Sequence, residues 1–158
     1  MGAKLPSANS SARSSIANNH GELGGEMGGL LHDLGAITLF CDDLEASRSF
    51  YGDALGWTLL FADDNSAAFD AGNTIVNLLR ADEAVELIAP AVVAPRTAGS
   101  RMQLSIFTDD VDAACDSLRT AGIAIASGPM NRPWGMRTAT FHDPSGHVWE
   151  IAQEIAEA

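Results

Sequence analysis

One carboxylate near the end of the chain stands in an unusual place. Residues 141–151 read FHDPSGHVWEI. Asp143-Pro144-Ser145-Gly146 supplies turn chemistry, with φ fixed at Pro and a positive φ open to Gly, and Val148-Trp149-Glu150-Ile151 supplies the β-branched and aromatic residues of a strand. Glu150 is thus a charge among apolar neighbours, and an unpaired charge is costly to bury. It must face solvent, a partner, a metal or a ligand. It could act as a general base or hold a cationic ligand group. It could equally hydrogen-bond a neighbouring strand and do no more than hold a sheet together.

A second chemistry-bearing stretch is GPMNRPWGMR, residues 128–137. Two prolines and two glycines predict a loop. In it Trp134 offers aromatic surface to a ligand, and Arg132 and Arg137 offer guanidinium groups for a carboxylate or an aromatic face. The alternative for Trp134 is a plug at a barrel mouth or a dimer seam. Asp42-Asp43 and Asp109-Asp110 resemble paired catalytic acids, but each precedes a helix-forming run, where a carboxylate caps the first turn. Neither a Gly-rich phosphate loop nor a nucleophile elbow nor a Cys/His pair occurs. His142 and His147 fall at strand ends, and His20 and His32 in or beside a low-complexity segment; we expect these histidines to be solvated or hydrogen-bonded.

The elements that would position these residues come twice. A strand is predicted over 36–41, a helix over 44–55 stopped by Gly56, and strands over 57–62, 66–70 and 74–80. Pro90 and Pro95 make 81–100 a connector. The pattern then recurs as a strand over 101–108, a helix over 111–121 closed by Gly122, and strands near 123–127, 137–141 and 147–153. Phe40-Cys41-Asp42-Asp43 lies over Phe107-Thr108-Asp109-Asp110 at an offset of 67 residues, which points to an internal duplication. We divide the chain into a flexible Ser/Asn/Gly-rich tail, 1–32, and one domain, 33–158, with modules at about 34–80 and 101–155.

Composition bounds the partners. The apolar fraction of 46% suits a globular protein, and the net charge of -12, from 21 acids against 9 bases, opposes binding to nucleic acid or an anionic membrane. No apolar run approaches the ~20 residues of a membrane span, and residues 1–29 lack the apolar centre of a signal peptide, so a cytoplasmic location is expected. Cys41 and Cys115 sit in apolar segments without CxxC spacing and are read as reduced core residues.

With the duplication, the segments DDLEASRSFYGDALGW and DDVDAACDSLRTAG, and the closing DPSGHVWEI, the chain resembles the vicinal oxygen chelate superfamily, the glyoxalase, bleomycin resistance and extradiol dioxygenase group. The resemblance covers about residues 34–155. It implies an α+β fold in which two tandem βαβββ modules form a cup-shaped mixed sheet with helices outside, and a ligand or metal where the halves meet. Strand alternation then puts Thr38, Phe40 and Asn77 of the first module inward, together with Gln103, Ser105, Phe107 and Glu150 of the second. The family's metal positions carry over to Ala36, Asn77, Gln103 and Glu150. Ala36 cannot ligate, and Asn77 and Gln103 offer weak neutral oxygens. Catalytic Zn draws three ligands from His, Glu, Asp or Cys, and non-haem Fe(II) wants two His and a carboxylate. We therefore expect no tight metal; a divalent ion, if held at all, would sit on Gln103 and Glu150. The expected function is binding of a drug-like or aromatic metabolite by a homodimer, with Trp134 and Arg137 completing the site. The alternative is a glyoxalase-like lyase or isomerase with Glu150 as base.

Overall fold

A computed structural model describes residues 34–155; the predicted tail, with His20 and His32, lies outside the described residues. The first unit comprises β1 (Ala36–Cys41), α1 (Leu44–Ser49), a π-helical turn (Phe50–Ala54), β2 (Thr58–Ala62), β3 (Ser66–Asp70) and β4 (Ile75–Arg80). The connector holds a short α2 (Val85–Ile88) and a 3₁₀ turn (Arg96–Ala98). The second unit comprises β5 (Gln103–Phe107), α3 (Val111–Thr120), β6 (Ile125–Arg132), β7 (Met136–His142) and β8 (Val148–Glu154). Each unit forms its own four-stranded mixed sheet, in the orders β1-β4-β3-β2 and β5-β8-β7-β6. The first strand of each pairs parallel with the last, and the other pairings are antiparallel. This is the α+β arrangement of tandem βαβββ modules that the duplication predicts.

The paired aspartates act as caps. Asp43 Oδ1 accepts from the Ala46 N–H and Asp110 Oδ1 from the Ala113 N–H, both at 2.9 Å, so each helix starts where its sequence indicates. On α3 the apolar stripe Val111, Cys115 and Leu118 is buried, following the spacing of one helix face. On the first helix the π-helical turn buries two consecutive residues, Phe50 and Tyr51, which a regular α-turn would aim about 100° apart.

The helix-bearing faces of both sheets share one core. Leu39, Cys41, Val76 and Leu78 enter it from the first sheet, and Ala139, Phe141, Trp149 and Ile151 from the second. Tyr51 joins them: its ring lies 6.0 Å from Trp149 edge-on and 5.4 Å from Trp57 in a stack, while Trp57 meets Trp149 edge-on at 5.6 Å. Such pairs contribute about 0.5–1.5 kcal/mol each beyond their burial. Trp57 is therefore core, and both cysteines are free and buried.

The sequence expectation fails over 128–137. Instead of a loop, β6 continues to Arg132 and β7 starts at Met136, leaving only a tight turn at Pro133-Trp134-Gly135. The prolines are tolerated because β6 is an edge strand and Pro129 falls where its register slips, between Ser127↔Thr140 and Met130↔Thr138. Gly128 makes the slip feasible. Its φ is +85°, and an added Cβ would lie 2.4 Å from the Thr138 carbonyl oxygen.

Candidate functional site

Strand register arranges the open face of the second sheet. Glu150 pairs with Ser105 on one side and Thr140 on the other; Val148 lies between Gln103 and His142, and Ala152 between Phe107 and Thr138. Paired residues share a face, so Gln103, Ser105, Phe107, Glu150, Thr138, Thr140 and His142 form one surface, while Trp149 and Ile151 point into the core. The Ser105 hydroxyl donates to Glu150 Oε1 at 2.9 Å. That leaves Oε2 and the remaining lone pairs of Oε1 without a described protein donor, beside an apolar wall supplied by Phe107, which is 74% exposed.

The structure brings Gln103, Ser105, Phe107 and Glu150 together. Thr38 and Asn77 are register partners on the matching face of the first sheet, and Phe40 pairs with Leu79 one step along. Among the described residues, the hydrogen bonds that join the two modules directly are Tyr51 to Asp143, Trp149 to Tyr51 and Asp42 to Ser145; none joins Asn77 or Thr38 to the Glu150 face.

Arg137 is not brought to this face. It follows Met136 and precedes Thr138, so it points to the helix side, where Nε and Nη2 donate to the Asp112 carboxylate of α3 at 2.6 and 2.7 Å and Nη1 donates to Asn131 Oδ1 at 2.8 Å. The guanidinium holds the Asp112 carboxyl below the usual carboxylate range. Arg132 takes the place expected of Arg137: its Nε donates to Thr138 Oγ1 at 2.8 Å and its guanidinium carbon lies 5.8 Å from the centre of the Trp134 ring. The bulge is responsible. The register of β6 shifts twice, between Ile125 and Ser127 and between Ser127 and Met130; across the second, three residue steps of β6 match two of β7, so Met130 and Arg132 rather than Asn131 share the open face with Ser127. Trp134 sits at the tip of the turn, 67% exposed.

The carboxylate that sequence reasoning took only for a turn residue, Asp143, is the most fully bonded in the protein's interior. It is 3% exposed. Its Oδ1 accepts from the backbone N–H groups of Ser145 at 3.0 Å and His147 at 2.8 Å. Oδ2 accepts from the Tyr51 hydroxyl at 2.7 Å and lies 2.7 Å from His147 Nδ1, which must donate because an ionised carboxylate only accepts. Tyr51 in turn accepts from Trp149 Nε1 at 3.0 Å. Burial works to raise the Asp143 pKa, but the hydrogen bonds from His147 and Tyr51 outweigh it and hold the carboxyl below its ordinary value. Burial and the adjacent Asp143 charge push the Tyr51 phenol upward, so it stays protonated and donating. His147 is thus a hydrogen-bonded partner inside this cluster, whereas His142 is exposed on the open face.

The donor chemistry of the open face does not fit a tight catalytic metal. Around Glu150 it offers one imidazole, His142, and the neutral amide of Gln103, while the face's second carboxylate, Glu154, stands four residues further along β8 and Ala36 holds the fourth family position; among the described residues no group of three or more His, Cys, Asp or Glu side chains converges.

Two tandem βαβββ modules, each a four-stranded mixed sheet, define a class, and comparison with known proteins identifies it. Residues 33–151 match the family model of the Glyoxalase/Bleomycin resistance protein/Dioxygenase superfamily, and the chain belongs to that family. A glyoxalase/bleomycin resistance protein/dioxygenase from Nocardioides superposes with a TM-score of 0.72 at 27% identity, over 84% of this chain and 90% of that one. TnmS3, an antibiotic-binding protein from Streptomyces sp. CB03234, superposes at 0.61 and 26% identity, over 80% and 98% of the two chains. Lactoylglutathione lyase from Agrobacterium tumefaciens shares the fold at 0.64 and 20% identity, over 79% and 96%. No curated protein matches the chain. Among the described residues no helix is long and apolar enough to cross a membrane.

Proposed function

We propose that this protein binds a small aromatic molecule on the open face of its second sheet, with Glu150 as the polar anchor and Phe107 and Trp134 as stacking surface. The observation that carries the reading is the Ser105–Glu150 pair. A carboxylate fixed at 2.9 Å by one hydroxyl, on a face where its other lone pairs meet no protein donor among the described residues, is oriented and left open to a ligand hydroxyl or ammonium group. The likeness to TnmS3, described as antibiotic-binding, supports it. We further read the protein as a homodimer: Leu59, Leu60 and Phe61 leave apolar surface exposed on β2, and a second copy would cover it.

A second reading, a glyoxalase-like lyase or isomerase with Glu150 as base, draws on one observation: His142 and Gln103 flank the strand position next to Glu150 on the same face, close enough to share a reacting group with it. Titration of the tryptophan emission separates the two. Trp134 is the exposed indole, so tyramine or a similar aromatic ligand should quench emission in the wild type, with loss of the signal change in Trp134→Phe and loss of affinity in Glu150→Gln. Turnover of thiol adducts of 2-oxoaldehydes, abolished by Glu150→Gln, would overturn the binding-protein reading in favour of the enzyme.

A further inference from the structure

We propose that the ligand is an aromatic carboxylate, its anionic end held by Arg132 and its opposite, hydrogen-donating end held by Glu150; this rests on the binding function above and adds the charge class of the ligand.

Arg132 is the guanidinium that the β6 bulge delivers to the open face. Its side chain is already fixed, because Nε donates to the hydroxyl of Thr138, a residue only 2% exposed, and the group rests beside the Trp134 ring. A guanidinium has five N–H donors. One is used by Thr138, and among the described residues the four on Nη1 and Nη2 meet no acceptor. Arg48, Arg80, Arg119 and Arg137 pair with Glu45, Asp82, Asp116 and Asp112, whereas Arg132, like Arg96 and Arg101 of the connector region, makes no ion pair among the described residues. This includes Glu154, which stands opposite Met136 at the same end of the face. In a chain with 21 acids and 9 bases, a fixed and unneutralised guanidinium facing outward is a preorganised receptor for a carboxylate, which its planar fork can engage through two parallel hydrogen bonds.

Thr138, on which the guanidinium rests, lies one strand across and one two-residue step along from Glu150. With strands ~4.8 Å apart and ~3.4 Å per residue, that diagonal is roughly 8 Å. A benzene ring carrying a carboxymethyl group at one end and a hydroxyl at the other is of this order of length, and Arg132, on the strand beyond Thr138, leaves room for a hydrogen bond at each end. Trp134 stands at the Arg132 end of this line, and Phe107 lies on β5, beyond Glu150's strand.

The test compares 4-hydroxyphenylacetate with its uncharged isostere 4-hydroxyphenylacetamide, measured by calorimetry on the full chain. The wild type should bind the carboxylate roughly tenfold or more tightly than the amide. Arg132→Gln should remove that preference, weakening the carboxylate far more than the amide, and Arg132→Lys, which keeps the charge without the fork, should retain part of it. Thermal unfolding of each variant checks that the fold is intact. A carboxylate preference that survives in Arg132→Gln, or equal affinities in the wild type, would overturn the anion subsite while the binding function stands. If neither probe binds, the binding function itself fails and the subsite with it.

Discussion

The two modules share one backbone and differ where a ligand would touch them. At the offset of 67 residues Ala36, Thr38 and Phe40 correspond to Gln103, Ser105 and Phe107, and the register partner of Thr38 is Asn77 where that of Ser105 is Glu150. The first module thus presents a hydroxyl beside a neutral amide, and the second a hydroxyl bonded to a carboxylate, with an amide two residues away. Neither difference alters strand pairing, because these side chains lie off the core. Duplication fixes the frame, and the open face is where the copies are free to diverge.

A larger asymmetry lies on the other side of the sheets. Tyr51 of the first module donates to Asp143 of the second and has no counterpart in the reverse direction among the described residues. Asparagine at 143 should therefore produce the largest effect of any single change. It replaces a buried acceptor of four hydrogen bonds and strands the Tyr51 and His147 donors, at a cost of about 3–5 kcal/mol in denaturant unfolding. Because the fold holds the Asp143 carboxyl below its ordinary value, its stabilisation is complete above the ordinary pKa of about 3.9 and is lost as pH falls through the lower folded value. Wild-type stability should accordingly drop below about pH 4, and Asp143→Asn should flatten that drop. An unchanged acid limb would show that the seam does not depend on this charge.

The next change sharpens the difference between the open faces. Glu150→Gln keeps the volume and removes the charge, and should weaken 4-hydroxyphenylacetamide by roughly tenfold, the value of a hydrogen bond to a charged acceptor. Asn77→Ala, the matching position in the first module, should change the affinity less than twofold. Equal losses at both positions would show that the ligand lies between the modules and engages both faces alike.

How far each region was legible depended on what kept its register regular. Alternation along β5 and β8 placed Ser105 beside Glu150 because neither strand carries an irregularity. Asp43 and Asp110 declared themselves as caps by position alone. The Gly-Pro and Arg-Pro pairs of residues 128–133, in contrast, read as loop signals. Two one-residue register shifts on the edge strand, the second at the first pair, let the strand continue through these signals, and which residues between them face outward depends on where the shifts fall, which composition does not encode. Asp143 was hidden for another reason. Its turn chemistry is real, but its partner Tyr51 lies 92 residues away and only tertiary packing joins them.

The same shifts support the smallest predicted effect. Arg137 and Arg132 are five residues apart and chemically identical, yet one faces α3 and the other the open face. Arg137→Met removes an exposed, doubly hydrogen-bonded pair with Asp112. Such pairs contribute little, so the melting temperature should fall by only ~1–3 °C, and less in high salt where the attraction is screened. Binding of 4-hydroxyphenylacetate should not change, in contrast to Arg132→Gln. A loss of carboxylate preference in Arg137→Met would mean that Arg137 leaves Asp112 and reaches the ligand, against its place on the helix side of β7.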